Sequence, residues 1–152
     1  MQLSQKERML LEDLKSHEEM CIKKYTNYAN QAQDPQLKQM FQNHAQIERE
    51  HYNTVNQILS GQIPNVQQQG QQWQQQQQNQ GQQAGMSQQQ EADLCQDMLQ
   101  TEKYISGTYD TAIFEFQDPN IRQVLNHIQS EEQKHGEAIY SYMQSKGMYK
   151  VH

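Results

Sequence analysis

Glutamate stands three positions before histidine twice in this chain, at Glu48/His51 and at Glu132/His135. On an α-helix that spacing turns a carboxylate and an imidazole to the same side. Divalent iron and manganese are bound by such a donor pair. One pair alone carries little weight, but here the pairs are repeated in register. Each lies 14 residues after an Asp-Pro dipeptide, and a shift of 84 lays Asp34, Pro35, Glu48 and His51 on Asp118, Pro119, Glu132 and His135. Carried backwards, the shift lays Glu18 on Glu102 and Tyr25 on Tyr109. The chain reads as two copies of one unit, each with a lone Glu and a Glu-x-x-His. Six candidate metal ligands result: Glu18, Glu48, His51, Glu102, Glu132 and His135.

These residues converge only if the helices that carry them turn them to a common core. Leu11, Leu14, Glu18, Cys21, Tyr25 and Tyr28 follow the 3,4 spacing of an apolar seam, as do Leu37, Phe41, His44, Glu48, His51, Val55 and Ile58. The second copy reads Cys95, Met98, Glu102, Ile105, Tyr109, Ala112, then Ile121, Leu125, Ile128, Glu132, His135, Ile139, Tyr142. In all four segments an acid sits where the pattern demands a core residue. Glu19, Glu50 and Glu131 fall off the seams and read as surface. Height agrees as well: Glu18 and Glu48 are each 15 residues from Gln33, and Glu102 and Glu132 each 15 from Gln117. At a rise of ~1.5 Å per residue, all four stand roughly 22 Å from their turns, in one layer.

Four buried carboxylates repel one another, and each uncompensated ion costs several kcal/mol. Protons on strongly coupled sites would relieve this. So would two divalent metal ions, iron or manganese, with two neutral imidazoles completing the ligand set. On this pattern Glu48 and Glu132 bridge or chelate, Glu18 and Glu102 are terminal, and each histidine binds one metal. Tyr25 and Tyr109, two turns beyond Glu18 and Glu102, are placed to hydrogen-bond carboxylates of the opposite half.

Helix boundaries are written in the sequence. Ser4 with Glu7 and Ser87 with Gln90 fit capping boxes, Asp34-Pro35 and Asp118-Pro119 supply an N-cap and a first-turn proline, and Gly61 and Gly147 suit C-terminal caps. Helices are predicted at about 4–32, 35–60, 89–116 and 119–146. The short turns make hairpins of about 4–60 and 89–146. Residues 61–88, with 16 glutamines among positions 67–90, form a connection long enough to cross the bundle from end to end. The fold class predicted is all-α: a single antiparallel four-helix bundle of ferritin-like type over residues 1–152, two hairpins joined by a long crossover.

Composition excludes other classes. A net charge of −6 without a basic run argues against a nucleic-acid partner. No apolar stretch is long enough to span a membrane and the N-terminus does not read as a signal peptide, so the expectation is a soluble protein made inside a cell. Cys21 and Cys95 lack zinc-site spacing. They read as buried reduced thiols, with a disulfide between antiparallel helices as the alternative. His44, whose counterpart is Ile128, reads as a satisfied core histidine rather than a ligand, and His17 and His127 as solvated.

Residues 93–149 also resemble the spore coat protein F (CotF) family of endospore-forming bacteria. The resemblance is carried by Glu102-Lys103-Tyr104, Tyr109, Ala112, Glu115, Arg122, Leu125, Glu131-Glu132, His135, Tyr142-Met143 and Gly147-Met148-Tyr149. It implies a bundle made in the cytoplasm of a sporulating cell and placed in the spore coat, with other coat proteins or its own copies as partners. It implies no activity. Two functions follow as expectations: a structural coat component with a glutamine-rich, self-associating or cross-linkable loop, or a dinuclear redox enzyme acting as an oxidase or peroxide scavenger. Storage of a mineral core is a third, and needs a shell of many copies.

Overall fold

The computed structural model describes residues 2–64 and 88–148. Among these the chain forms four α-helices and no strand: α1 (Gln5–Gln31), α2 (Pro35–Leu59), α3 (Gln88–Glu115) and α4 (Pro119–Ser145). The predicted boundaries hold to within one residue at each end. The glutamine tract up to residue 87, the Ser87 cap and Tyr149 lie outside the described residues.

The ends are set by the signals read above. Ser4 accepts from the Glu7 amide while the Glu7 side chain accepts from the Ser4 amide, which satisfies two otherwise unpaired donors of α1. Asp34 and Asp118 cap α2 and α4 by accepting from Gln36 and Asn120, with proline at the first helical position. Gly61 (φ +98°) and Gly147 (φ +71°) end α2 and α4 in the left-handed conformation that glycine adopts without a Cβ penalty. The amides of Gln62 and Met148 then bond back to the carbonyls of Gln57 and Met143.

Asp34 does more than cap. Its carboxylate also accepts from the Tyr142 hydroxyl and lies 3.7 Å from the Lys146 ammonium, which ties the α1–α2 turn to the end of α4. Asp34→Ala is expected to cost about 1–2 kcal/mol, towards the upper end of the range for losing an N-cap, because Tyr142 loses its acceptor as well. Chemical denaturation checks this; a cost near zero would show that water replaces both bonds.

Every predicted seam residue is buried except Tyr28, which is half-buried, with Ala29 in the core beside it. The apolar ones form two clusters. One joins Leu11 and Leu14 of α1, Val55 and Ile58 of α2, Ile105 to Ile113 of α3 and Ile121 to Ile128 of α4. The other joins Tyr25 and Ala29, Leu37 and Phe41, Cys95 and Met98, and Ile139 to Met143. The first therefore gathers the starts of α1 and α4 with the ends of α2 and α3, and the second gathers the reverse. Leu59 and Gln88 stand at opposite ends of the molecule. Cys21 and Cys95 fall in different clusters, and both are free thiols.

The duplication extends to the turns. Glu91 of α3, 6% exposed, accepts from the amides of Gln33 and Asp34 at 2.7 and 2.9 Å. Glu7, its counterpart at the 84-residue shift, accepts from the Gln117 amide at 3.2 Å. Each half thus closes the turn of the other.

Candidate metal centre

Between the two apolar clusters lies a layer with a different chemistry. α1 supplies Glu18, α2 supplies Glu48 and His51, α3 supplies Glu102, and α4 supplies Glu132 and His135. None is more than 2% exposed. They form two overlapping groups, Glu18–Glu48–His51–Glu132 and Glu48–Glu102–Glu132–His135, with the candidate ligand atoms of each group within 4.8 Å of one another. Glu48 and Glu132 belong to both groups. Each group thus holds three carboxylates and one imidazole, two of the carboxylates being shared.

Both imidazoles turn Nδ1 inward. His51 Nδ1 lies 3.0 Å from Glu48 Oε1, 3.3 Å from Glu132 Oε2 and 3.7 Å from Glu18 Oε2. His135 Nδ1 lies 3.0 Å from Glu48 Oε2, 3.2 Å from Glu102 Oε2 and 3.8 Å from Glu132 Oε1. The tyrosines cross between halves: Tyr25 donates to Glu102 and Tyr109 to Glu18, each at 2.5 Å. Such bonds fix the direction of the carboxylates' remaining lone pairs.

The halves differ in how they hold their histidines. His51 Nε2 bonds Glu131 Oε1 at 2.7 Å, and Glu131 in turn lies 3.4 Å from His127. Glu131 is 8% exposed, which corrects its reading as a surface acid; Glu19 is exposed and Glu50 half-buried. Its counterpart at the 84-residue shift, Ile47, is apolar and only half-buried, so the repeat gave no clear sign of this. His127 is half-buried against Glu131, and His17 is half-buried beside the Tyr104 ring, so neither is simply solvated. His135 Nε2 makes no hydrogen bond, and its ring stacks on that of His44 with centroids 3.9 Å apart. His44 belongs to neither group. Its Nδ1 also has no hydrogen-bond partner, so it is a core histidine but not a satisfied one.

Burial and crowding divide the acids. Glu48 is pushed up to about 8 by burial and by the charges of Glu102 and Glu18. Burial and the same crowding raise Glu132 well above the carboxylate range. Burial also works against ionised Glu18 and Glu102, but His51 beside one and His135 beside the other outweigh it and hold both below the usual value. Burial alone would lower the imidazoles. The Glu18 charge and the hydrogen bond to Glu131 instead raise His51 well above its ordinary value, and Glu102 raises His135 to about 9. The raised acids and imidazoles hold protons more tightly and the lowered acids less, so without metal the layer's charges can be balanced by protons: on these directions, two neutral carboxyls, two carboxylates and two imidazoliums.

The donor set suits divalent metal. Glu18 Oε1, Glu102 Oε1 and both Glu132 oxygens are buried and make no hydrogen bond. An unpaired buried carboxylate oxygen costs free energy unless something cationic meets it. With the His51 Nε2 proton held by Glu131, Nδ1 presents its lone pair to the carboxylates when the ring is neutral. Removing that support in Glu131→Ala is expected to weaken metal affinity about 10–100-fold. Competition with a chromophoric chelator measures it; an unchanged affinity would show that Glu131 serves packing alone.

No curated protein and no solved structure matches the chain. A family match is confined to the second half, where Glu102, Glu132 and His135 lie; Glu18, Glu48 and His51 fall outside it. Residues 90–152 match the Coat F domain.

Proposed function

We propose that this chain is a spore coat protein whose ferritin-like bundle, a single domain of two antiparallel hairpins joined by a crossover, holds two divalent metal ions, iron or manganese. The location rests on the Coat F match over residues 90–152. The bundle type is supported by the opposite ends reached by Leu59 and Gln88. One observation carries the metal reading: two groups of three carboxylates and one imidazole sharing Glu48 and Glu132, with buried carboxylate oxygens that nothing else satisfies.

In this reading Glu48 and Glu132 would serve both ions, Glu18 and His51 would hold one, and Glu102 and His135 the other. Tyr25, Tyr109 and Glu131 orient these ligands from behind. Two divalent ions cancel four carboxylate charges, so metal replaces protons without changing the net charge of the layer. Iron or manganese would supply redox capacity, while this chain's residues bind, orient and exclude bulk water. No helix among the described residues is long and apolar enough to cross a membrane, and the net charge of −6 disfavours nucleic acid. Partners are then other coat proteins or further copies of the chain.

Peptide analysis of coat material stripped from purified spores tests the location. Peptides from residues 93–148 are expected in that fraction, and recovery from the mother-cell lysate alone would contradict it. The second reading, a redox enzyme, is favoured by the cleft that reaches Glu102 and Glu132. Anaerobic reconstitution with Fe(II) or Mn(II), followed by peroxide, separates the two: repeated turnover establishes the enzyme, and stable binding of two ions without turnover the structural protein.

A further inference from the structure

Two glycines sit in the middle of helices where no backbone demand explains them. Gly107 of α3 and Gly136 of α4 are not among the positive-φ glycines, and mid-helix glycine costs stability relative to alanine. Close packing does not require them either. A Cβ at Gly107 would meet nothing within 4 Å, and one at Gly136 would only touch Leu99 Cδ1 at 3.8 Å. What they leave is space: a cleft of about 510 Å³ between α3 and α4, lined by both glycines and reaching Glu102 and Glu132. Glu132 is 0% exposed and neither of its oxygens makes a hydrogen bond, and Glu102 Oε1 makes none either. Lys103 and Asp110 stand exposed at the rim.

The duplication supplies an internal control. At the 84-residue shift, Gly136 corresponds to Tyr52, Gly107 to Lys23 and Leu99 to Lys15. In the first half the Lys15 ammonium lies 6.0 Å from the centroid of the Tyr52 ring, so side chains stand where the second half has glycine. At the position of Gly136 the first half carries a tyrosine ring beside a lysine, where the second half has no side chain.

We propose that the α3–α4 cleft is the route by which a divalent cation reaches the buried centre, passing Asp110 at the rim and meeting Glu132 and Glu102 as the first buried carboxylates. The proposal rests on the metal reading above. The carboxylates draw the cation inward, and the missing side chains at Gly107 and Gly136 spare the bundle from having to unfold locally for loading.

The test uses the full metal-free chain and Co(II), following the cobalt absorption for both the amount bound and the rate. Gly136→Tyr copies the residue that the first half already accommodates at position 52. Gly107→Leu plugs the cleft from the other helix, so either variant serves if one fails to fold by circular dichroism. Both plugged variants are expected to bind two Co(II) at equilibrium but to load at least tenfold more slowly than the parent, while Gly136→Ala loads at the parental rate. Equal rates in the plugged variants overturn the route, as does equal slowing by alanine and tyrosine. Absence of Co(II) binding by the parent overturns the metal reading itself, and the route with it; that outcome is read from the amount bound, not from the rate.

Discussion

Loading the metal-free protein with a divalent cation at pH 7 is expected to release about four protons per chain. The number follows from the balance of the buried layer. Glu48, held at about 8, and Glu132, raised well above the carboxylate range by burial and by Glu102, are the acids that hold protons. His51, well above its ordinary value, and His135, at about 9, each carry an Nδ1 proton that a metal must displace. Glu18 and Glu102 are already ionised and release nothing. Calorimetric titration in buffers of different ionisation enthalpy counts the protons. A value near zero would mean that the metal binds elsewhere, at carboxylates already ionised and solvated.

The second large effect is a loss of stability in the metal-free bundle as pH rises from about 5 to 9. His135 titrates at about 9 when folded against an ordinary 6.5, so its contribution is complete below 6.5 and gone once pH passes 9. Glu48 titrates at about 8 when folded against 4.5, so the folded layer holds a proton that the unfolded chain gives up above 4.5, and stability falls through that window as well. Glu18 and Glu102, shifted down, act in the other direction and matter only on acidification below the usual carboxylate range. The shift at His135 alone is on the order of 3 kcal/mol, which for a chain of this size corresponds to roughly 10 °C in Tm. Thermal melts across this range in the presence of a chelator check it. With saturating metal the trend should reverse, because binding that releases protons strengthens as pH rises and the bound ion stabilises the folded state. A metal-free melting temperature that does not fall between pH 6 and pH 9 would contradict the assigned protonation of the layer.

The helices were legible because their polar exceptions obey the same spacing as their apolar residues. Glu18, Glu48, Glu102 and Glu132 sit on seams otherwise filled by leucine, isoleucine and tyrosine, and the two Asp-Pro turns set their heights. Duplication let one half check the other. Where the halves diverge, that check was silent or misleading. Glu131 faces Ile47 in the alignment and was read as surface, although it holds His51 across the α2–α4 contact. His44 faces Ile128, and nothing in its spacing reveals that it stacks on His135. The role of Glu91 was available in principle, since Glu7 lies 84 residues before it. That role depends on a turn 57 residues away in sequence, and only packing reveals it. The cleft at Gly107 and Gly136 was hidden for a similar reason: mid-helix glycine reads as a weak helix former until the opposite wall is known.

The central claim is that the buried acids are ligands and not a burden that protons relieve. Metal content measures it directly, in protein purified without chelator and compared with the Glu48→Ala, Glu132→Ala double variant, which removes both residues shared by the two groups. The expected result is two iron or manganese ions per chain in the parent and none in the variant. A parent with no metal, together with a variant that melts at a higher temperature, would contradict the account.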